Sequence, residues 1–171
     1  PAELLQLQKH LEKELEGADD PQLLELVRPQ VSAEGMFFPS TYQFSRGDSD
    51  LSVLRRAHFK MKSLVNEIWA ARDPGVPLES PYEAVILASV IEKETGLASE
   101  REVISGVFTR RLEARMRLQT DPTVIYGLGE SYAGNLRRSH LEDASNLYNS
   151  YRHHGLPPTP IALIGKAALY A

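Results

Sequence analysis

Between residues 51 and 68 apolar side chains return every three or four positions, with Leu51, Leu54, Ala57, Met61, Leu64, Val65 and Ile68 on one face of a predicted helix that Pro74-Gly75 stops. That face is expected to be core and carries no visible chemistry. The next run differs in kind. Ser80-Pro81-Tyr82-Glu83 combines a capping box with proline at the first helical position. The segment that follows, EAVILASVIEKET, is apolar or small on every side over residues 84–91. A helix that is apolar all round is buried, so this one is predicted to be the central helix of the domain. Ser99 with Glu102 repeats the capping box and predicts a basic helix through about Arg117, and Asp121-Pro122 caps another that ends near Gly127.

On either side of this block the pattern changes. Leu4, Leu7, Leu11 and Leu15 are helically spaced before Gly17, and Asp20-Pro21 opens a short helix that Pro29 closes, so residues 1–33 read as an acidic helical lead-in or linker. In MFFPSTYQF, Phe38, Tyr42 and Phe44 share one side of an extended chain, and Pro39 argues for an edge position. The ordinary reading is an edge strand packing on the core, and the sharper one is a wall on which sugars stack. From Gly129 to Pro160 the chain is polar, rich in Tyr and Asn, and closes on GLPPTP, a pattern of turns. The expected fold is α+β and mainly helical, with a buried central helix and a short aromatic-rich strand region in a domain over residues 34–171.

Composition narrows the class. A chain of 171 residues, 42% hydrophobic and 25% charged, suits one core and excludes disorder and low complexity. Without cysteine there are no disulfides, thiolate metal sites or thiol catalysis. No run approaches the ~18 apolar residues of a membrane span. The net charge of −4 resides entirely in residues 1–29, which hold seven acids and three bases, so the remainder is neutral. Nucleic-acid binding calls for a basic surface and is not expected.

The candidate chemistry centres on Glu92, at the end of the buried run. Val85, Ala88 and Ser89 lie beneath it on the same side of the helix, and two of these three are small. The residues leave two readings open: an acid on the floor of a cleft, or an ordinary ion pair with a base such as Lys93 or Arg101, which physics alone favours. Glu94 lies ~200° around the helix from Glu92 and reads as structural. In LQTDPT, Gln119, Thr120 and Asp121 bring amide, hydroxyl and carboxylate to a helix start, where they either bind sugar or simply cap. YNSY adds Asn149 and the Tyr151 ring, fit for a sugar face or for loop packing. His153-His154 has no third ligand in pattern, so no metal is assigned.

The string LASVIEKETGLASEREVISGVFTRRLEARMRLQTDPTVIYGLG, with EGMFFPSTY upstream and YNSYRHHGLPPTPIALIG downstream, resembles the endolytic murein transglycosylase (YceG-like) family. The resemblance runs from about Glu34 onward. It implies cleavage of peptidoglycan strands between N-acetylmuramic acid and N-acetylglucosamine without water, leaving 1,6-anhydro ends, with the Glu of the EKET motif, here Glu92, as the catalytic residue. Candidate substrate contacts are Glu34, Ser89, Gln119, Thr120, Asp121, Asn149 and Tyr151. No cofactor is implied. The family also implies glycan-polymerising synthases (penicillin-binding proteins) as partners and a place on the periplasmic face of the inner membrane, held by an anchor outside this chain. It implies further strands beyond Ala171, so the catalytic domain is expected to lack its C-terminal end. Rival readings are a non-catalytic peptidoglycan-binding module and a helical interaction domain with no glycan ligand.

Overall fold

The computed structural model describes residues 33–171. Helices account for all the regular structure: α1 Asp50–Ala71, α2 Pro81–Glu94, α3 Ala98–Glu113, α4 Asp121–Leu128, a 3₁₀ turn at Gly129–Ser131, and the short α5 Arg138–Glu142 and α6 Lys166–Leu169. The lead-in helices expected over residues 1–33 lie, apart from Ala33, outside the described residues. No helix among the described residues is long and apolar enough to cross a membrane.

The prediction of a buried central helix is met by α2. Every residue from Val85 to Ile91 is buried, and α2 contacts α1, α3, α4 and α6. Its aliphatic side chains join Met61 and Val65 of α1, Phe108 of α3, Leu118, and Ile161 and Ile164 near the C-terminus in one core. Full burial of each such side chain contributes about 1.5–3 kcal/mol. The Ser80 hydroxyl accepts from the Glu83 N–H at 3.2 Å and Pro81 occupies the first turn, as the capping pattern requires. The Glu83 carboxylate accepts from the Glu79 N–H at 2.6 Å, one residue ahead of the cap. α1 starts from Ser49, whose hydroxyl accepts from the Ser52 N–H, and ends before Pro74.

The α+β expectation is corrected, because there is no strand among the described residues. Residues 34–44 form a turn followed by extended backbone with no partner strand. Gly35 turns the chain at φ +75°, where a Cβ would stand 2.7 Å from Val85 Cγ1 and 2.9 Å from Pro160 Cβ. The Phe38 N–H then donates to the Ala57 carbonyl of α1 at 3.1 Å, so the segment is docked onto a helix. Nor do the aromatics share a side. Phe37 is buried edge-on to His58, Phe38 lies under the Lys60 ammonium, and Phe44 is 77% exposed.

Two helix starts also shift. α3 begins at Ala98, ahead of the expected Ser99 cap. Thr95 does the ordering there: its hydroxyl accepts from the Leu97 N–H at 3.0 Å and donates to Glu100 at 2.6 Å. α3 stops at Glu113 because Arg115 takes a left-handed φ of 52° and the Met116 N–H closes back on the Arg111 carbonyl at 2.7 Å. α4 has Thr120 at its N-cap position, with Asp121 and Pro122 already in the first turn.

Candidate active site

The end of α2 presents two carboxylates in different directions. Glu92 Oε1 lies 3.4 Å from an Arg101 guanidinium nitrogen of α3, and Oε2 accepts from the Gly165 N–H at 3.2 Å. The side chains of Glu92 and Arg101 are 27% and 12% exposed. Both oxygens of Glu92 are therefore engaged, and they tie α2 to α3 and to the segment before α6. The ion pair with Arg101, one of the two readings left open for this residue, is present.

Glu94 points the other way, as the ~200° separation requires. It is exposed, and its Oε2 accepts a hydrogen bond from the Thr120 hydroxyl. The 118–123 segment is brought there by contacts at both ends. Arg111 of α3 donates to the Leu118 carbonyl, and the Gln119 N–H donates to the Ser150 carbonyl at 3.1 Å. Gln119 turns through φ 53°, with its side chain in solvent. Behind it is a buried knot of hydroxyls. Ser150 Oγ accepts from the Thr120 N–H at 3.0 Å and lies 2.8 Å from Thr123 Oγ1, which donates to the Thr120 carbonyl.

Asp121 and Tyr151 complete the group. The Tyr151 hydroxyl donates to Asp121 Oδ1 at 2.7 Å. Burial, the hydrogen bond to Asp121, and the charges of Asp121 and Glu94 push the phenol up to about 12, against a smaller opposing influence from Arg111. The same electrostatic field thus links Glu94, Asp121, Tyr151 and Arg111.

The other candidates lie apart from this group or beneath it. Asn149 is fully buried, and its amide nitrogen donates to the carbonyls of His140, Leu141 and Asp143 while its oxygen accepts from the Tyr151 N–H. It closes the end of α5 and orients Tyr151. Ser89 has no exposure; its hydroxyl donates to the Ile86 carbonyl and accepts from the Ile161 N–H. Glu34 is 7% exposed in the turn over Val85 and Pro160, and burial raises its pKa while Lys93 partly opposes the rise. A cavity of about 690 Å³ opens between α1, α2, α3 and Tyr170, but none of the candidate residues lines it.

The YceG-like family model matches residues 2–171. The chain belongs to the YceG-like family. A protein named endolytic murein transglycosylase from Bacillus subtilis is 35% identical over 135 residues, which is 79% of this chain and 37% of that protein. One of the same name from Streptococcus pneumoniae is 29% identical over 143 residues, 75% of this chain and 23% of its own length. The crystal structure of a YceG-like protein from Listeria monocytogenes superposes with a TM-score of 0.66 at 27% identity, covering 96% of this chain and 53% of that one. The chain thus spans well under half the length of these curated relatives.

Within this YceG-like domain, the LQTDPT and YNSY segments, which the sequence offers as two separate sets of substrate contacts, are joined by the Gln119–Ser150, Thr120–Ser150 and Asp121–Tyr151 hydrogen bonds. Of these residues Thr120 bonds Glu94, and Tyr151, paired with Asp121, feels the Glu94 charge. The ~200° offset separates the two carboxylates, and the sequence reading of Glu94 as structural carries no sign that it is the one beside Thr120. Arg111 and Thr123 were missed as members of the site; nothing in their spacing distinguishes them from helix-surface and core residues.

Proposed function

We propose that this domain cleaves peptidoglycan glycan strands internally as a lytic transglycosylase, with Glu94 as its acid and base. The observation that carries this reading is the exposed Glu94 carboxylate at the end of the central helix, with Thr120, Asp121 and Tyr151 around it. Membership of the YceG-like family and the names of its relatives support the same activity. Glu92 meets the same motif, but its two oxygens are spent on Arg101 and Gly165, which favours Glu94 for the chemistry.

The reaction needs one group that gives a proton and takes one back. Glu94 protonates the glycosidic oxygen as the bond from the muramyl anomeric carbon to that oxygen breaks. The C6 hydroxyl of the same ring then bonds to the anomeric carbon, and its proton returns to Glu94. Because the nucleophile is tethered to the reacting ring, no water has to be held in place. The exposed Gln119 side chain and the Tyr151 ring are suited to hold the flanking sugars. A peptidoglycan substrate supports a place on the wall-facing side of the cytoplasmic membrane, with the synthases that polymerise glycan as partners.

The test is incubation with uncrosslinked glycan strands followed by mass spectrometry. Long internal fragments ending in 1,6-anhydro-muramic acid, one water lighter than hydrolysis products, are expected. Reducing ends would mean a hydrolase, binding without cleavage a peptidoglycan-binding module, and no binding an interaction domain.

A further inference from the structure

We infer that Thr120 is a positioning residue for the reacting carboxylate, fixing Glu94 Oε2 and leaving Oε1 to carry the proton that is transferred. The inference rests on the reading of Glu94 as the acid and goes beyond it, since Thr120 enters from sequence only as a substrate contact or a cap.

Its surroundings favour neither of those roles. Thr120 is 2% exposed, so little of it is open to a glycan. It stands at the N-cap position of α4, yet its hydroxyl makes no capping bond. The hydroxyl instead donates across 26 residues of sequence to Glu94 Oε2. The backbone of Thr120 is held on both sides by other groups: its N–H donates to Ser150 Oγ at 3.0 Å, and its carbonyl accepts from Thr123 Oγ1 at 2.8 Å and from Ser150 Oγ at 3.2 Å. Ser150 and Thr123 are themselves buried and in contact, so the side chain of Thr120 leaves a rigid base.

This arrangement has a chemical consequence. A hydroxyl carries one proton, and Thr120 gives it to Oε2. In the protonated acid, Oε2 then acts as the carbonyl-type acceptor and the transferable proton sits on Oε1. As Oε1 gives up that proton, negative charge grows on the carboxylate and the Thr120 hydrogen bond becomes charge-assisted and stronger. An interaction that strengthens on the way to the transition state acts on kcat and leaves substrate affinity nearly unchanged. A substrate contact would act on KM instead.

The experiment measures initial rates of anhydro-end formation on soluble uncrosslinked glycan with the full-length protein and its Thr120→Val, Thr120→Ser and Glu94→Gln variants. Valine keeps the volume and both backbone attachments and removes only the donor; serine restores the donor. Thr120→Val is expected to lose about tenfold to a hundredfold in kcat, as loss of one hydrogen bond to a charged group implies, with KM unchanged. Thr120→Ser is expected to recover most of that loss. Full kcat in Thr120→Val, a change confined to KM, or equal loss in the serine and valine variants would overturn the positioning role. If Thr120→Val fails to fold, Thr120→Ala takes its place with the same expectation. Retained activity in Glu94→Gln would overturn the assignment of the acid itself, whatever the Thr120 variants show.

Discussion

The Ser89 hydroxyl at the centre of α2 accepts the N–H of Ile161 at 2.9 Å, joining the central helix to a backbone segment 72 residues later. Both residues are buried, so no water can replace the acceptor. Because Gly165, on the same segment, reaches Glu92, the segment is fastened to α2 at two points.

Ser89→Ala is therefore expected to destabilise the domain by about 1–3 kcal/mol, the cost of leaving a buried donor unsatisfied. Urea denaturation with an unchanged slope would measure it. A midpoint within error of the parent would mean that the segment finds another acceptor.

Burial raises the pKa of Glu34 above the ordinary carboxylate value, with Lys93 opposing part of the rise. A carboxyl whose folded pKa lies above its unfolded value contributes stability that is present below the unfolded value and is lost as pH rises through the folded one. Glu34→Gln removes that dependence. Relative to the parent, the variant is expected to have a higher Tm at pH 7 than it has at pH 4. Equal differences at the two pH values would show that Glu34 is not desolvated in the folded protein.

The helices whose sequence signal lay in burial were legible, and the features set by long-range pairing were not. α2 could be read because its run is apolar all round, and α1 because its stripe includes Ala57, Met61 and Val65, all of which are buried. The aromatic segment was misread because alternation predicts a strand only where another strand offers a ladder; here the neighbour is α1, and the adjacent Phe37 and Phe38 are buried and half-buried in turn. The start of α3 depends on Thr95 and Glu100, five residues apart across a bend, a pairing that no capping pattern encodes. Asn149 looked like a sugar ligand because an amide suits either use, and only the fold shows its nitrogen turned to three carbonyls at the end of α5.

Tyr151 supplies a direct check on the site's electrostatics. Its phenol is pushed up to about 12 from 10.0 by burial, the hydrogen bond to Asp121 and the nearby carboxylates. The sign is that of a neutral form favoured by folding, so its contribution to stability is whole below pH 10 and is lost as pH approaches 12. Titration of ring-labelled tyrosine by NMR, assigned against Tyr151→Phe, should find this residue protonated after exposed tyrosines have ionised. Asp121→Asn should bring its midpoint down towards 10, since one of the raising charges is gone. A parent midpoint already near 10 would mean that Tyr151 and Asp121 are not paired in solution.

The two carboxylates of the EKET motif are separable by substitution because their surroundings differ. Glu92→Gln removes the charge opposite a guanidinium that is 12% exposed, while a glutamine oxygen can still accept from Gly165. The loss in stability should fall between the ~0–1 kcal/mol of a surface pair and the ~3–5 kcal/mol of a buried one, and glycan cleavage should persist below the lowered Tm. Glu94→Gln keeps the acceptor for the Thr120 hydroxyl but has no acid proton to give. It should leave Tm close to that of the parent and reduce cleavage by at least about a hundredfold, the lower end of what a general acid contributes. Measuring Tm and anhydro-end formation on both variants decides the matter. If Glu92→Gln abolishes cleavage with the fold intact and Glu94→Gln does not, the proton comes from the Arg101 side of the helix, and Thr120, Asp121 and Tyr151 lose their claim to surround the reacting atoms.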